Sequence, residues 1–371
     1  MQIVIALLII IFAVIFGFKI GKQGIDSLVD ANLKQFKHVC IAAAIGLLLA
    51  IICTIFLKNI RMNLVTFIFV YIVAVPIGFL APVFCFSTLG LRVKWNDKVG
   101  TIHRDLVYDE TREETGYDLY VPARLEEGKK YSLVLYIHGG GFTSGSRKDG
   151  ELWCKYMTSK GYVAASMDYT LQKKGYKSDL YLVTNQVKDC VSAIEKKCRE
   201  IVYPVTEMAV TGGSAGGTLA LLFAYKKVNE SAIPVKFVFE QAGPAYFNPV
   251  CWNVAGNLEE QAAFVTRFCG IVVDIEMIKN NEHFTYINEL SPACCIKEDS
   301  VPTLCAYGSK DKMVPTCLKY WLLEALEKYH IPYDNIEYPH SNHGLYDDPG
   351  FQKEFLKKLD EYCEQYFENK I

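Results

Sequence analysis

Residues 208–217, Met-Ala-Val-Thr-Gly-Gly-Ser-Ala-Gly-Gly, constrain the fold of this chain more than any other segment. A short apolar run enters a serine in the pattern Gly-x-Ser-x-Gly, and a helical pattern, residues 218–225, leaves it. A serine on so sharp a strand-to-helix turn exposes its hydroxyl. Gly212 and Gly216 therefore stand where backbone crowds and side chains do not fit. The helix N-terminus then lies beneath any negative charge that develops at Ser214.

The rest of the chain repeats that strand-then-helix grammar. Short β-rich runs at 133–137, 163–167, 208–211, 237–239, 303–307 and 335–338 alternate with helical patterns, which predicts a mostly parallel sheet flanked by helices. Residues 180–200, with Leu182, Val183, Val187, Val191 and Ile194 on one face, read as an amphipathic helix, as do residues 351–368. Runs at 101–108 and 117–121 predict an antiparallel entry to the sheet. Between the 237 and 303 strands lie about 60 residues, far more than an ordinary connection. The segment 243–300 reads as a lid or cap insertion whose aromatics, Tyr246, Phe247, Trp252, Phe264, Phe268, Phe284 and Tyr286, are for the most part its own core.

Two loops carry further chemistry. His138-Gly-Gly-Gly-Phe142 follows the 133–137 strand, and the amides of Gly140 and Gly141, with that of Ala215, form a predicted oxyanion hole for acyl transfer. The ordinary reading of a glycine run is a flexible turn or a phosphate loop, but neither GxGxxG nor a Lys-Ser/Thr ending is present. A serine hydroxyl needs an oriented imidazole to take its proton, in chain order Ser, Asp, His. Asp311 follows the 303–307 strand and His343 follows the 335–338 strand, both in loops at strand C-terminal ends, where α/β sheets place their sites. Their competitors are Asp299, which precedes its strand, and His340, which lacks the following glycine. A metal site at His340 and His343 lacks further ligands at suitable spacing. The cysteines form no CxxC pair and read as small buried hydrophobes.

A hydrophobic fraction of 51% exceeds what such a domain needs, and the excess lies in residues 1–18, 39–57 and 62–91. Each is long enough to cross a bilayer as a helix, with Pro76 and Pro82 kinking or ending the third. A cleaved signal peptide is the alternative for the first, which has neither a basic start nor a clear cleavage site. Three transmembrane helices in 1–91 before a catalytic domain at 92–371 make an integral, multi-pass protein with membrane lipid as a partner. Lys19, Lys22, Lys34 and Lys37 after the first span and Arg92, Lys94, Lys98 and Arg104 after the third place that domain in the cytoplasm and the N-terminus outside. A net charge of -2 without a basic stripe speaks against nucleic acid.

Taken together, HGGGF, GGSAGG, GSKDKMVP and the terminal His343-Gly344 resemble the hormone-sensitive-lipase-like esterases of the α/β-hydrolase superfamily, over about residues 100–370. The resemblance implies an α/β-hydrolase fold with an eight-stranded sheet, a cap over the active site, no metal or organic cofactor, and a structural role for His138. It also implies hydrolysis of a small-molecule or lipid-like carboxylic ester through an acyl-enzyme on Ser214, with Asp311 and His343. Two positions depart from that family: Gly213 stands where it often has Asp, and Asp168-Tyr-Thr-Leu-Gln-Lys-Lys where it often has an Arg-Leu-Ala-Pro run. The alternatives are a serine peptidase or transacylase on the same scaffold, and a non-catalytic membrane-bound binding protein.

Overall fold

The computed structural model of the chain describes residues 15–17, 19–23, 43, 90–126, 128–173, 178–252 and 256–369. The predicted spans at 1–18, 39–57 and 62–91 lie outside the described residues, except at 15–17, 43, 90 and 91. Among the described residues no helix is long and apolar enough to cross a membrane. The chain divides into two compact units. One comprises Gly90–Tyr307, Val314–Glu337 and Lys353–Ile371, the other Met1–Leu89, Gly308–Met313 and Tyr338–Gln352.

The fold is that of an α/β-hydrolase. Its strands are β1 (Gly100–Val107), β2 (Gly116–Pro122), β3 (Tyr131–Ile137), β4 (Val163–Met167), β5 (Val205–Gly213), β6 (Val235–Gln241), β7 (Thr303–Gly308) and β8 (Tyr333–Tyr338). They form one eight-stranded sheet in the order β1-β2-β4-β3-β5-β6-β7-β8. β1 and β2 enter antiparallel, and β4, β3, β5, β6 and β7 then run parallel. β4 is buried at every residue and β3 at all but Tyr136. Such strands read as continuous apolar runs because helices cover both faces.

Three crossover helices bear directly on the site. α1 (Glu151–Ser159) joins β3 to β4, α2 (Leu180–Glu200) joins β4 to β5, and α3 (Ala215–Lys226) joins β5 to β6. α2 starts at Asp179, whose carboxylate accepts the Leu182 amide at 2.8 Å, and buries Leu180, Val183, Val187, Val191, Ile194, Cys190 and Cys198. Two of the positions that complete its stripe are thiols rather than aliphatic side chains. α3 has no polar face, since every residue from Ala215 to Tyr225 is buried. It is the central helix beneath the turn that carries Ser214.

β4 and β5 flank β3 on opposite sides, so strand order reverses at β3, and the C-terminal ends of β3 and β5 border the crevice where open α/β sheets bind ligands. The segment between β6 and β7 contains α4 (Leu258–Cys269), α5 (Ile275–Lys279), α6 (Phe284–Leu290) and α7 (Pro292–Cys295). Asn257 caps α4 by accepting the amides of Glu259 and Glu260, and Gly270 ends it at φ 70°, where a side chain would strike the Asp179 carboxylate. The chain closes with α8 (Cys317–Lys328), β8 and α9 (Pro349–Tyr366).

Candidate active site

Within the sheet unit, β5 delivers Ser214 into a conformation that non-glycine residues rarely adopt, φ 55° and ψ -124°. Its amide donates to the Gln241 carbonyl at 2.8 Å, so the residue is pinned to the end of β6. Gly212 and Gly216 are glycines for the reason the sequence suggested. A Cβ on Gly212 would meet the Gly216 backbone and the Ile137 carbonyl, and one on Gly216 would overlap the carbonyls of Ile137 and His138. Gly213 is different: a Cβ there would meet only the Gln241 carbonyl at 3.7 Å, so that position has room for a side chain.

The loop after β3 lies against this turn. A Cβ on Gly139 would stand 2.8 Å from the Gly213 carbonyl oxygen and 3.3 Å from Ser214 Cβ. Gly140 (φ 107°) and Gly141 (φ 60°) take left-handed conformations. The Gly140 carbonyl accepts the amides of Thr143 and Ser144, both at 3.1 Å. The amides of Gly140 and Gly141 have no acceptor among the described residues, and Ala215, first residue of α3, offers an N–H with no intrahelical acceptor. This is a set of free donors next to a strained serine.

Residues 168–172, where the sequence departs from the resembling family, grip that loop. Tyr169 stacks on His138 with ring centroids 4.2 Å apart and donates its hydroxyl to the His138 carbonyl at 3.1 Å. The Gln172 amide donates to the Phe142 carbonyl at 2.7 Å. Asp168 pairs with Arg147, which also binds Asp118 and Asp105 and so ties down the far end of the glycine loop. Burial draws the His138 imidazole below its ordinary pKa, which keeps it neutral and structural.

In the other unit, His343 Nδ1 lies 2.7 Å from Asp311 Oδ2, both side chains being largely buried. Asp311 also accepts the Met313 amide at 2.9 Å. An imidazole held this way at Nδ1 keeps Nε2 for proton transfer. The competitor His340 has an acidic partner as well, Asp348 at 2.8 Å, but its side chain is 70% exposed against 10% for His343. Asp299 is exposed on the turn before β7, at the end of the strand opposite Gly308. Asp311 and His343 are therefore brought together, while Ser214, Gly140, Gly141 and Ala215 belong to the sheet unit. The ten described cysteines are all free thiols, six of them buried, and no metal-binding cluster occurs among the described residues.

Sequence reasoning missed Glu240, although an acidic residue inside the strand Val-Lys-Phe-Val-Phe-Glu-Gln was a visible signal. It is wholly buried between Gly217 and Gly243, with Oε2 accepting the Gly243 amide at 2.6 Å. Its Oε1 is buried without a hydrogen-bond partner. Arg267, which reaches from α4 to the Gly141 carbonyl at 3.2 Å, was missed too, and no local pattern signals it.

This fold is that of the α/β-hydrolases, and the solved structures it resembles are esterases. The BD-FAE family model matches residues 117–326, and the chain belongs to that family. It is 26% identical over 235 residues to an acylamino-acid-releasing enzyme of Arabidopsis thaliana, covering 59% of this chain and 28% of that one. It is 26% identical over 137 residues to the esterase LipI of Mycobacterium tuberculosis, covering 36% and 41%. The chain thus spans less than half the length of these curated relatives. Among solved structures, a truncated carbohydrate esterase from gut microbiota superposes with a TM-score of 0.59 at 16% identity, covering 74% of this chain and 99% of that one. A thermophilic esterase, Est2, of Thermogutta terrifontis gives 0.57 at 18% identity, covering 74% and 95%.

Burial pushes the Glu240 carboxyl up to about 8, against Tyr307 and the Gly243 amide, which draw it down. A carboxyl raised above its unfolded value near 4.5 adds stability below that pH and loses it as pH rises through about 8. Glu240→Gln should therefore be more stable than the parent at pH 9, by on the order of a few kcal/mol, with the gap closing toward pH 4.5. Urea unfolding across that range checks it, and a pH-independent difference would contradict it.

Proposed function

We propose that the chain is a serine carboxylesterase in which Ser214, Asp311 and His343 form the catalytic triad. The observation that carries the reading is Ser214 itself, a strained serine beside unpaired backbone N–H groups, a combination with an evident use in acyl transfer. His343 Nε2 takes the Ser214 proton as Oγ bonds to the ester carbonyl carbon, and the carbonyl oxygen becomes an oxyanion that the amides of Gly140, Gly141 and Ala215 receive. Collapse of this intermediate expels the alcohol, which leaves with the proton from His343. Water, deprotonated by the same imidazole, then releases the acid and frees the serine. Asp311 holds the ring and balances its charge when protonated. His343 follows β8 and Asp311 follows β7, so chain order supports the assignment over His340 and Asp299.

The likeness to an acylamino-acid-releasing enzyme favours a second reading, cleavage of an acylated amino-acid bond by the same residues. Amide and ester substrates tried side by side separate the two. Ser214→Ala and His343→Ala should each lower ester kcat by roughly 1,000-fold or more, whereas His340→Ala should stay within about tenfold of the parent. The opposite ranking of the two histidines would give the role to His340.

We further propose that residues 1–91 anchor the chain in a membrane with the hydrolase in the cytoplasm, on the strength of three uncharged stretches and the lysines and arginines at their ends. A C-terminal tag on the full chain should resist protease in sealed cells until they are permeabilised. Digestion from outside would reverse the orientation, and release of the chain by carbonate washing would remove the anchor.

A further inference from the structure

Among the described residues, Arg267 is a cation without a counter-charge. Arg147 binds three aspartates, Lys173 binds Glu114 and Lys226 binds Glu289, but Arg267 has no carboxylate within ion-pairing distance among the described residues. Its bonds go to neutral groups: Nε donates to Gln172 Oε1 at 2.9 Å and Nη2 to the Gly141 carbonyl at 3.2 Å. The ordinary reason for an arginine here is the last turn of a helix, where the dipole favours a positive charge. That reason does not account for a guanidinium held in place from two sides, by Gln172 on the segment after β4 and by the glycine loop itself. Gln172 is fixed in turn, its amide nitrogen donating to the Arg267 carbonyl at 3.0 Å, and Phe142 of the glycine loop packs edge-on against Phe268.

The location gives this charge a use. Arg267 bonds to Gly141, and Gly141 is only two residues, at most about 7 Å of chain, from Gly139, which lies against Ser214 Cβ. A guanidinium has five N–H donors and two are engaged here, so the exposed remainder can take a carboxylate by charge-assisted hydrogen bonds. Partial burial draws the group below its ordinary pKa with no carboxylate raising it, and it remains fully charged at neutral pH.

We propose that Arg267 is a specificity determinant that binds a carboxylate on the substrate, so that the preferred substrates are esters bearing an acidic group a few bonds from the scissile carbonyl. The inference rests on Ser214 being the nucleophile, and it adds the chemical class of ester. The two unpaired oxygens of a carboxylate match the planar fork of the guanidinium, which a neutral acyl chain leaves solvated.

The test compares two substrate pairs on the full chain: the 4-nitrophenyl monoester of adipic acid against 4-nitrophenyl hexanoate, and 3-carboxyphenyl butyrate against phenyl butyrate. The quantity read is the ratio of kcat/KM for the charged member to that for the neutral one, in which any common loss from a disturbed glycine loop cancels. In at least one pair this ratio should fall roughly tenfold or more in Arg267→Gln, and also in the parent at high salt, while Arg267→Lys keeps most of it. An unchanged ratio in both pairs, with charged and neutral turnover falling together, would show that Arg267 only braces Gly141 and would overturn the inference. Absence of turnover on all four esters in the parent would instead refute the esterase reading on which it rests.

Discussion

The structure turns on a backbone contact with no room for a side chain, the approach of Gly216 to the carbonyls of Ile137 and His138. That contact requires β3 and β5 to be neighbours, parallel and in the register that sets Ile137 beside Gly212. It also forces the chain to turn within one residue, and the residue at the turn is Ser214, at φ 55°. A non-glycine residue there costs on the order of 1–3 kcal/mol, which the surrounding structure must offset. It does so through the Ser214 amide bond to Gln241 and through α3, buried along its length. Because the loop leaving β3 starts at the same contact, the glycines that face the serine arrive there as a consequence of strand order.

Charge is handled differently on the two sides of this turn. Beneath it, Glu240 sits in a site that favours its protonated form. Around the far end of the glycine loop, Arg147 gathers the buried Asp118 and Asp168, which is the usual way to bury ionised groups, with several partners and a hydrogen bond to each; the exposed Asp105 joins them from the surface. Arg267 breaks that pattern at the edge of the loop. In the other unit, His340 and His343 lie close in sequence, each with an aspartate partner, and differ chiefly in exposure, so the carboxylate partner alone does not identify a catalytic base.

Much of the sheet was legible in the sequence, and for a physical reason. Strands buried on both faces are uninterrupted apolar runs, so residues 163–167 were found to the residue and the 208–211 and 237–239 runs proved to be the inner parts of longer strands. The helix at 180–200 was found to the residue from its one-sided apolar stripe, and the 335–338 run is the C-terminal part of β8. Asp311 and His343 were legible as residues just past strand ends, and their mutual contact agrees with that placement. The helices between β6 and β7 were not, because α5, α6 and α7 are too short to display a 3.6-residue period. Glu240 and Arg267 owe their significance to neighbours distant in sequence, Gly217 for the first and Gly141 and Gln172 for the second, which no local pattern encodes. The predicted membrane helices fall outside the described residues except at 15–17, 43, 90 and 91, and rest on the sequence alone.

The central claim is that the strained turn exists to present Ser214 as a nucleophile. Mass spectrometry of the full chain after treatment with a fluorophosphonate, followed by peptide mapping, tests it most directly. A single stoichiometric adduct is expected on the peptide that contains Ser214, and its loss when an ester substrate competes. An adduct on another residue, or no adduct on a preparation that still turns over ester, would contradict it.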